Sequence, residues 1–206
     1  MKRVALLGYL VLFFAPAVWA QEMIEAPVWN VGDRWTYKSV TGNTWTNQVL
    51  EIKEDLYILK PGGARNLNGY DKKSMNVKSI IEEDGKAVEA DFHLRKLFDF
   101  PISVGKKWSD VTTFYPSSGV THQGKIIYDH DFQVKDIQEV TTPAGRFKAY
   151  RIHYSQKRRN SRKSGWVDFW YSPEIKNWIK REAEKRPYWE KTTWAKDAEL
   201  VSYTSK

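Results

Sequence analysis

Three side chains that could contact a ligand stand at alternate positions near the end of the chain. Trp166, Asp168 and Trp170 are separated by apolar and aromatic residues, and successive side chains of a β-strand point to opposite faces. The sequence therefore predicts two indoles flanking a carboxylate on one face of one strand. Such a trio could stack on sugar rings and bind their hydroxyls. Because the opposite face is also apolar, the alternative is a strand in the centre of a core.

Two further tryptophans follow the same short pattern. Val31-Gly32-Asp33-Arg34-Trp35 returns as Val104-Gly105-Lys106-Lys107-Trp108. A glycine three residues before a tryptophan suits a turn or bulge that directs the indole inward. The echo predicts two similar half-sheets, with chance repetition as the alternative. We assign Trp35 and Trp108, together with the trio, to ligand binding.

A run of positive side chains lies between two predicted strands. It comprises Lys157, Arg158, Arg159, Arg162 and Lys163. At a hairpin tip these charges could contact an anionic envelope surface or an acidic partner, each contributing up to about 1 kcal/mol near an anionic membrane. The alternative is a solvated loop that favours solubility.

Metal-ligating residues are sparse. His122 and His130 lie eight positions apart, which is too far along an extended strand for both to bind one ion. Asp129 and Asp131 share a face but supply only two ligands for a hard cation. We therefore expect no metal and no cofactor.

Catalytic motifs are equally thin. Ser103-Val104-Gly105-Lys106 matches Ser-x-x-Lys, but that chemistry requires a helix to bring the lysine onto the serine. Pro101 and Gly105 favour a turn instead. An enzyme is the less favoured interpretation, and its most specific form is a glycan-acting enzyme that uses Asp168.

Strands must position these residues. Short runs of β-branched and aromatic residues alternate with turn residues along most of the chain, a pattern typical of strands. Asp84-Gly85 between two alternating runs predicts a tight hairpin. The best helical window, 88–97, is short at most. The sequence predicts a mainly β fold, a single curved antiparallel sheet or half-barrel meander of about ten to twelve strands.

The first twenty residues predict a secretory signal peptide. Two basic residues precede an apolar run over 4–14, and Ala20 supplies the small residue before a cut. The apolar run is too short to cross a bilayer comfortably. We predict a mature chain that begins at Gln21 and forms a single β-rich domain over 21–206. An uncleaved anchor is the alternative.

Composition limits the location and the partners. The chain has 33 Lys and Arg against 25 Asp and Glu, and it has no cysteine. Without cysteine there is no disulfide, no thiol chemistry and no site for the lipid of a bacterial lipoprotein. We expect a periplasmic or secreted protein that is soluble after signal cleavage and is not a lipoprotein. Because the chain is exported, we expect no nucleic-acid partner.

Four segments of the chain resemble those of a known group of proteins. They are Trp29-Asn30-Val31-Gly32-Asp33-Arg34-Trp35-Thr36-Tyr37, the segments 100–108 and 140–149, and Trp170-Tyr171-Ser172-Pro173-Glu174. In this order the chain resembles uncharacterised bacterial exported β-rich proteins of domain-of-unknown-function families, whose members resemble the curved sheets of periplasmic lipoprotein carriers. The resemblance implies a curved sheet or half-barrel and says little about a ligand.

The large number of aromatic side chains suggests a function. A curved sheet with aromatic residues on both faces has more apolar surface than it can hide, and the surplus must meet a lid, a ligand or a protein. The favoured interpretation is a non-enzymatic periplasmic binding protein for an apolar or amphiphilic ligand, such as a lipid, or for an envelope partner. The alternatives are a structural or adaptor subunit of a cell-envelope complex and a glycan-acting enzyme.

Overall fold

The computed structural model describes residues 22–89, 96–114, 126–162, 164–184 and 197–206. The predicted signal peptide, Gln21 and most of the helical window over 88–97 lie outside these ranges. The described residues form twelve strands and no helix. The strands are β1 (Arg34–Ser39), β2 (Thr44–Lys53), β3 (Leu56–Lys60), β4 (Leu67–Asp71), β5 (Val77–Ile81), β6 (Ala87–Glu89), β7 (Lys107–Phe114), β8 (Ile126–Thr142), β9 (Gly145–Arg158), β10 (Ser164–Ser172), β11 (Asn177–Ala183) and β12 (Ala198–Thr204).

All twelve strands belong to one antiparallel sheet. Their order is β6-β5-β4-β3-β2-β1-β12-β11-β10-β9-β8-β7. Strands that are consecutive in sequence are therefore adjacent within β1–β6 and within β7–β12, and β1 pairs with β12 in the middle. Strands β6 and β7 form the two edges, and the sheet is open. The predicted fold class, a mainly β antiparallel meander, is confirmed.

The sheet is strongly curved. On one face, which we call the inner face, Trp35 of β1 donates its indole N–H to the carbonyl of Ile175 in the β10–β11 turn at 2.8 Å. The turn between β8 and β9 reaches β12, where the amide of Ala144 lies 3.3 Å from the carbonyl of Leu200. The outer face carries Trp166 and Asp168. One continuous core of aromatic and aliphatic side chains lies on the inner face.

Two segments outside the strands cover part of the inner face. The amide and carbonyl of Ile24 pair with those of Ile102, both at 2.8 Å. In the connector that leads from β6 to β7, the rings of Phe98 and Phe100 lie 5.4 and 5.6 Å from the ring of Tyr171. The connector therefore supplies core side chains while it joins the two edges of the sheet.

A lysine fastens this connector. The ammonium of Lys106 lies 2.9 Å from the carboxylate of Asp99 and donates to the carbonyl of Pro101 at 2.9 Å. Lys96 forms a second ion pair with Asp99. The amide of Lys106 donates to the carbonyl of Ser103, so the Ser-x-x-Lys segment is the turn that the sequence predicts, and its lysine binds Asp99. Burial raises the pKa of Asp99, but hydrogen bonds from Lys96 and Lys106 outweigh burial and hold this pKa below its usual value.

The lowered pKa of Asp99 predicts a pH-dependent contribution to stability. A carboxylate whose pKa is lower in the folded state stabilises the fold above its unfolded pKa, near 4, and this stabilisation is lost as the pH falls through the folded pKa. Asp99→Asn is expected to lower the free energy of unfolding by about 1 kcal/mol at neutral pH and to have little effect near pH 2. Urea titrations at both pH values measure this. Asp131→Asn on the outer face is the matched control, and an equal loss at both pH values would contradict the ion-pair explanation.

The repeated Val-Gly pattern marks equivalent places in the fold. The amide of Gly32 donates to the carbonyl of Val49, and the amide of Val49 donates to the carbonyl of Asp33, both at 2.9 Å. In the second occurrence of the pattern, the amide of Gly105 donates to the carbonyl of Val134, and the amide of Val134 donates to the carbonyl of Lys106, again at 2.9 Å. Both glycines have a positive φ, 92° and 86°. A register shift follows Val49 in the pairing of β2 with β3, and another follows Val134 in the pairing of β8 with β9.

The correspondence extends further along the chain. A register shift precedes Tyr70 in β4 and Tyr171 in β10. The turns that follow contain Met75 and Lys176, whose φ angles are 56° and 60°, and each of these residues is followed by an asparagine. Strands β1–β6 and β7–β12 are therefore two six-stranded meanders with the same strand order and matching irregularities, which agrees with the sequence echo.

Candidate functional site

The inner face contains an open groove with a volume of 630 Å³. Its walls come from the start of β2, from the β3–β4 turn and from β11. The side chains that matter for chemistry here are Asn43, Trp45, Asn47, Trp178 and Arg181. Pockets for small ligands have volumes of about 300–1,000 Å³, so this groove is large enough for one.

An arginine lies between two indoles at this groove. The guanidinium carbon of Arg181 is 5.8 Å from the ring centroid of Trp45 and 5.3 Å from that of Trp178. Arg181 is only 8% exposed, and a cation at this distance from aromatic rings is attracted by their π-systems. The positive charge is thus held in a defined place in the groove.

Tyr37 supports the two tryptophans. Its ring stacks on Trp178 at a centroid distance of 3.8 Å and on Trp45 at 5.6 Å. Its hydroxyl donates to the carbonyl of Trp178 at 2.9 Å. Burial raises the pKa of Tyr37 well above its usual value, so the hydroxyl stays neutral and remains a donor.

A second, smaller pocket adjoins the groove. It has a volume of 190 Å³ and shares Asn47 and Trp178 with the groove. Its other side chains are predominantly apolar and include Trp29, Leu59, Tyr70, Met75, Leu97 and Phe98. A cationic, amide-lined groove and a mostly apolar pocket therefore lie side by side on the inner face.

A β-bulge brings Trp178 and Arg181 together. Strict alternation places residues 178 and 181 on opposite faces. In the structure, Trp170 lies opposite Lys180 and Tyr171 lies opposite Trp178, so Ile179 is an extra residue in β11. The bulge turns Trp178 onto the inner face beside Arg181. Sequence reasoning missed this pair because strict alternation separates its two residues. The alternation of Trp45, Asn47 and Val49 in β2 was a usable signal for the inner face of that strand.

The predicted trio lies on the outer face, as strand alternation indicates. Trp166, Asp168 and Trp170 stand opposite Ser155, His153 and Arg151 of β9, respectively. Trp166 is 36% exposed, whereas Trp170 is 6% exposed. The structure therefore places one open indole and one covered indole on the two sides of Asp168.

The covered indole has its own partners. The N–H of Trp170 donates to the side-chain oxygen of Gln138 at 3.1 Å. The ammonium of Lys180 lies 5.0 Å from the centroid of the Trp170 ring. Trp170 is therefore part of the packing of the outer face.

The other two assigned tryptophans lie on the inner face. Trp35 is fully enclosed and donates to the carbonyl of Ile175. Trp108 stacks on Phe132 at a centroid distance of 5.1 Å and donates its N–H to the carbonyl of Lys96 at 2.9 Å. The structure separates these two residues from the trio, so the five do not form one site. Their role as ligand contacts stays a prediction.

Asp168 belongs to a chain of charged side chains. It accepts a hydrogen bond from Nδ1 of His153 at 2.6 Å and lies 3.7 Å from the guanidinium of Arg151. Arg151 also binds Asp136 at 2.5 Å. Two carboxylates thus share one guanidinium, which occupies the space between them. A glycosidase would need that space for a substrate or a water molecule, so this arrangement gives the glycan-acting enzyme no support.

The predicted basic loop is the β9–β10 hairpin tip. Lys157 and Arg158 end β9, and Lys163 lies outside the described residues. Arg159 binds Asp129 through two guanidinium nitrogens, at 2.9 and 2.6 Å. This hydrogen bonding lowers the pKa of Asp129 and raises that of Arg159. Arg159 therefore fastens the hairpin to β8, and contact of the loop with an anionic surface stays a prediction.

Other candidate residues have structural partners. His130 is buried, with its two ring nitrogens 2.7 Å from the hydroxyl of Thr112 and 2.9 Å from that of Tyr154. His122 lies outside the described ranges. Within those ranges, no three His, Asp or Glu side chains are arranged to hold a metal ion, and no helix has the length and apolar character of a membrane span.

Three solved structures resemble this fold. A candidate exported protein with a YmcC-like fold from Bacteroides fragilis is 12% identical, with a TM-score of 0.39, over 89% of this chain and 100% of that one. The hypothetical lipoprotein YmcC from Escherichia coli is 7% identical, with a TM-score of 0.45, over 89% and 90%. A candidate lipoprotein from Parabacteroides distasonis is 15% identical, with a TM-score of 0.36, over 89% and 100%.

These neighbours agree with the resemblance stated from the sequence. They are described as exported proteins or lipoproteins, and the predicted resemblance to uncharacterised exported bacterial proteins is confirmed. No family model and no curated protein matches the chain.

One expectation about location is corrected. We expected that the protein is not a lipoprotein, but two of the three similar structures are described as lipoproteins. The expectation rested on the absence of cysteine from the chain. A folded domain does not depend on how its N-terminus is attached, so the exclusion is withdrawn.

Proposed function

We propose that this protein is a non-enzymatic binding protein of the cell envelope that holds an amphiphile with an anionic head group in the inner groove. The observation that carries the proposal is the placement of Arg181 between Trp45 and Trp178 at the wall of an open groove. A guanidinium at the wall of an open groove favours an anionic group of a ligand, because a hydrogen bond between a charged donor and a charged acceptor is stronger than a neutral one.

The adjoining apolar pocket supports an amphiphile over a small anion. Phe98, Met75 and Leu97 line a space of 190 Å³ that shares Asn47 and Trp178 with the groove. An apolar tail in this pocket would leave water, and each buried methylene contributes about 0.8 kcal/mol to binding. The head group would meet Arg181, Asn43 and Asn47.

A series of n-alkanoates tests this proposal. Octanoate, decanoate and dodecanoate are titrated below their micellar concentrations, and binding is followed by tryptophan fluorescence and calorimetry. The affinity is expected to rise about fourfold for each added methylene. Dodecanol, which lacks the charge, is expected to bind at least about tenfold more weakly than dodecanoate. Equal affinity for all chain lengths, or for the acid and the alcohol, would contradict the proposal.

A further inference from the structure

The outer face contains a third pocket, which is separate from the groove and the smaller pocket on the inner face. Its volume is 470 Å³, and it lies over β7, β8 and β9. The polar side chains that line it are Lys107, Ser109, Asp131, Gln133, His153 and Ser155. They form a shallow polar surface on the opposite side of the sheet from Arg181.

An exposed indole stands beside this pocket. Trp166 lies opposite Ser155 on the neighbouring strand, and its ring centroid is 6.0 Å from that of His153 with an angle of 32° between the planes. Among the described tryptophans, Trp166 is the most exposed. An open aromatic ring next to a polar pocket offers a flat apolar surface together with hydrogen-bonding groups.

Charged neighbours hold His153 in place. Its Nδ1 bonds to Asp168 at 2.6 Å, and the side chain of Asp168 is only 14% exposed. Arg151 lies against the other oxygen of Asp168 and is itself bound by Asp136. With Nδ1 engaged by Asp168, Nε2 is the ring nitrogen of His153 that is available for a hydrogen bond with a ligand hydroxyl.

We propose that this outer pocket binds a saccharide, with one sugar ring stacked on Trp166 and its hydroxyls bonded to His153 and Gln133. Hydroxyls are both donors and acceptors, and the pocket supplies both kinds of group. Its one lysine and one aspartate, Lys107 and Asp131, balance in charge.

Calorimetry and NMR titrations with cellohexaose, maltohexaose and chitohexaose test the inference. The wild-type protein is expected to bind at least one of them at millimolar concentration or below. Trp166→Ala is expected to weaken that binding about tenfold, and Trp166→Phe to retain most of it because an aromatic face remains. Melting temperatures of both variants show whether the fold is kept.

Trp45→Ala is the control in the other site. It is expected to leave saccharide binding unchanged and to weaken dodecanoate binding, while Trp166→Ala has the reverse effects. Failure of the wild type to bind any of the three hexasaccharides would overturn the inference. So would unchanged saccharide binding by Trp166→Ala, and so would recognition of this face by a peptide partner but by no saccharide. Neither outcome affects the proposal for the inner groove.

Discussion

Trp35→Ala is expected to lower the free energy of unfolding by about 3–5 kcal/mol, the range for truncation of a buried large aromatic residue. The Trp35 side chain is completely enclosed, and its ring centroid lies 5.0 Å from that of Trp29. The substitution removes this packing and also leaves the carbonyl of Ile175 without the indole N–H that it accepts. Equilibrium urea unfolding, followed by circular dichroism, measures the change.

Trp166→Ala is the matched control for this stability experiment. The same side chain is removed from the outer face, where it is 36% exposed, so a loss of about 1 kcal/mol or less is expected. If both variants lost the same amount, Trp35 would not be the core residue described here, and the assignment of the inner face would fail.

Arg181→Met is expected to weaken dodecanoate binding by about 10- to 100-fold, because a hydrogen bond to a charged group contributes about 1.5–3 kcal/mol. Methionine keeps an unbranched stem between Trp45 and Trp178 but removes the charge. Dodecanol binding is therefore expected to change little. The same titrations used for the alkanoate series measure both affinities.

Two further variants control the Arg181 experiment. Arg158→Met removes one positive charge at the hairpin tip and is expected to leave dodecanoate binding unchanged. Arg181→Lys keeps the charge without the planar guanidinium and is expected to give an intermediate affinity. If Arg158→Met weakened binding as much as Arg181→Met, net charge rather than the groove would be responsible.

The fold was predictable because local signals agree along the chain. Alternating side chains placed Trp166, Asp168 and Trp170 on one face correctly, since β10 has no irregularity between these residues. The Val-Gly echo indicated two half-sheets, and the same backbone hydrogen bonds begin both halves. The pairing of β1 with β12 places the first and the last strand in the middle of the sheet. This pairing is a long-range contact, and local patterns do not encode it.

The groove was not predictable from alternation alone. A single extra residue, Ile179, changes the face on which Trp178 lies, and a bulge in a strand has no firm sequence signal. Curvature was a second obstacle, because it brings Trp29 against the β10–β11 turn through a bond from its indole N–H to the carbonyl of Lys176 at 2.9 Å. The sequence shows that the basic loop is rich in positive side chains. It does not show that one of them, Arg159, forms an ion pair with Asp129.

The most direct test of the proposed function is native mass spectrometry of the protein isolated from its own cell envelope. A bound small molecule with an apolar chain and an anionic group is the expected result. Dodecanoate should displace it, and the Arg181→Met protein should lack it. A wild-type protein that carries no small molecule, or an Arg181→Met protein that carries the same one in equal amount, would contradict the account.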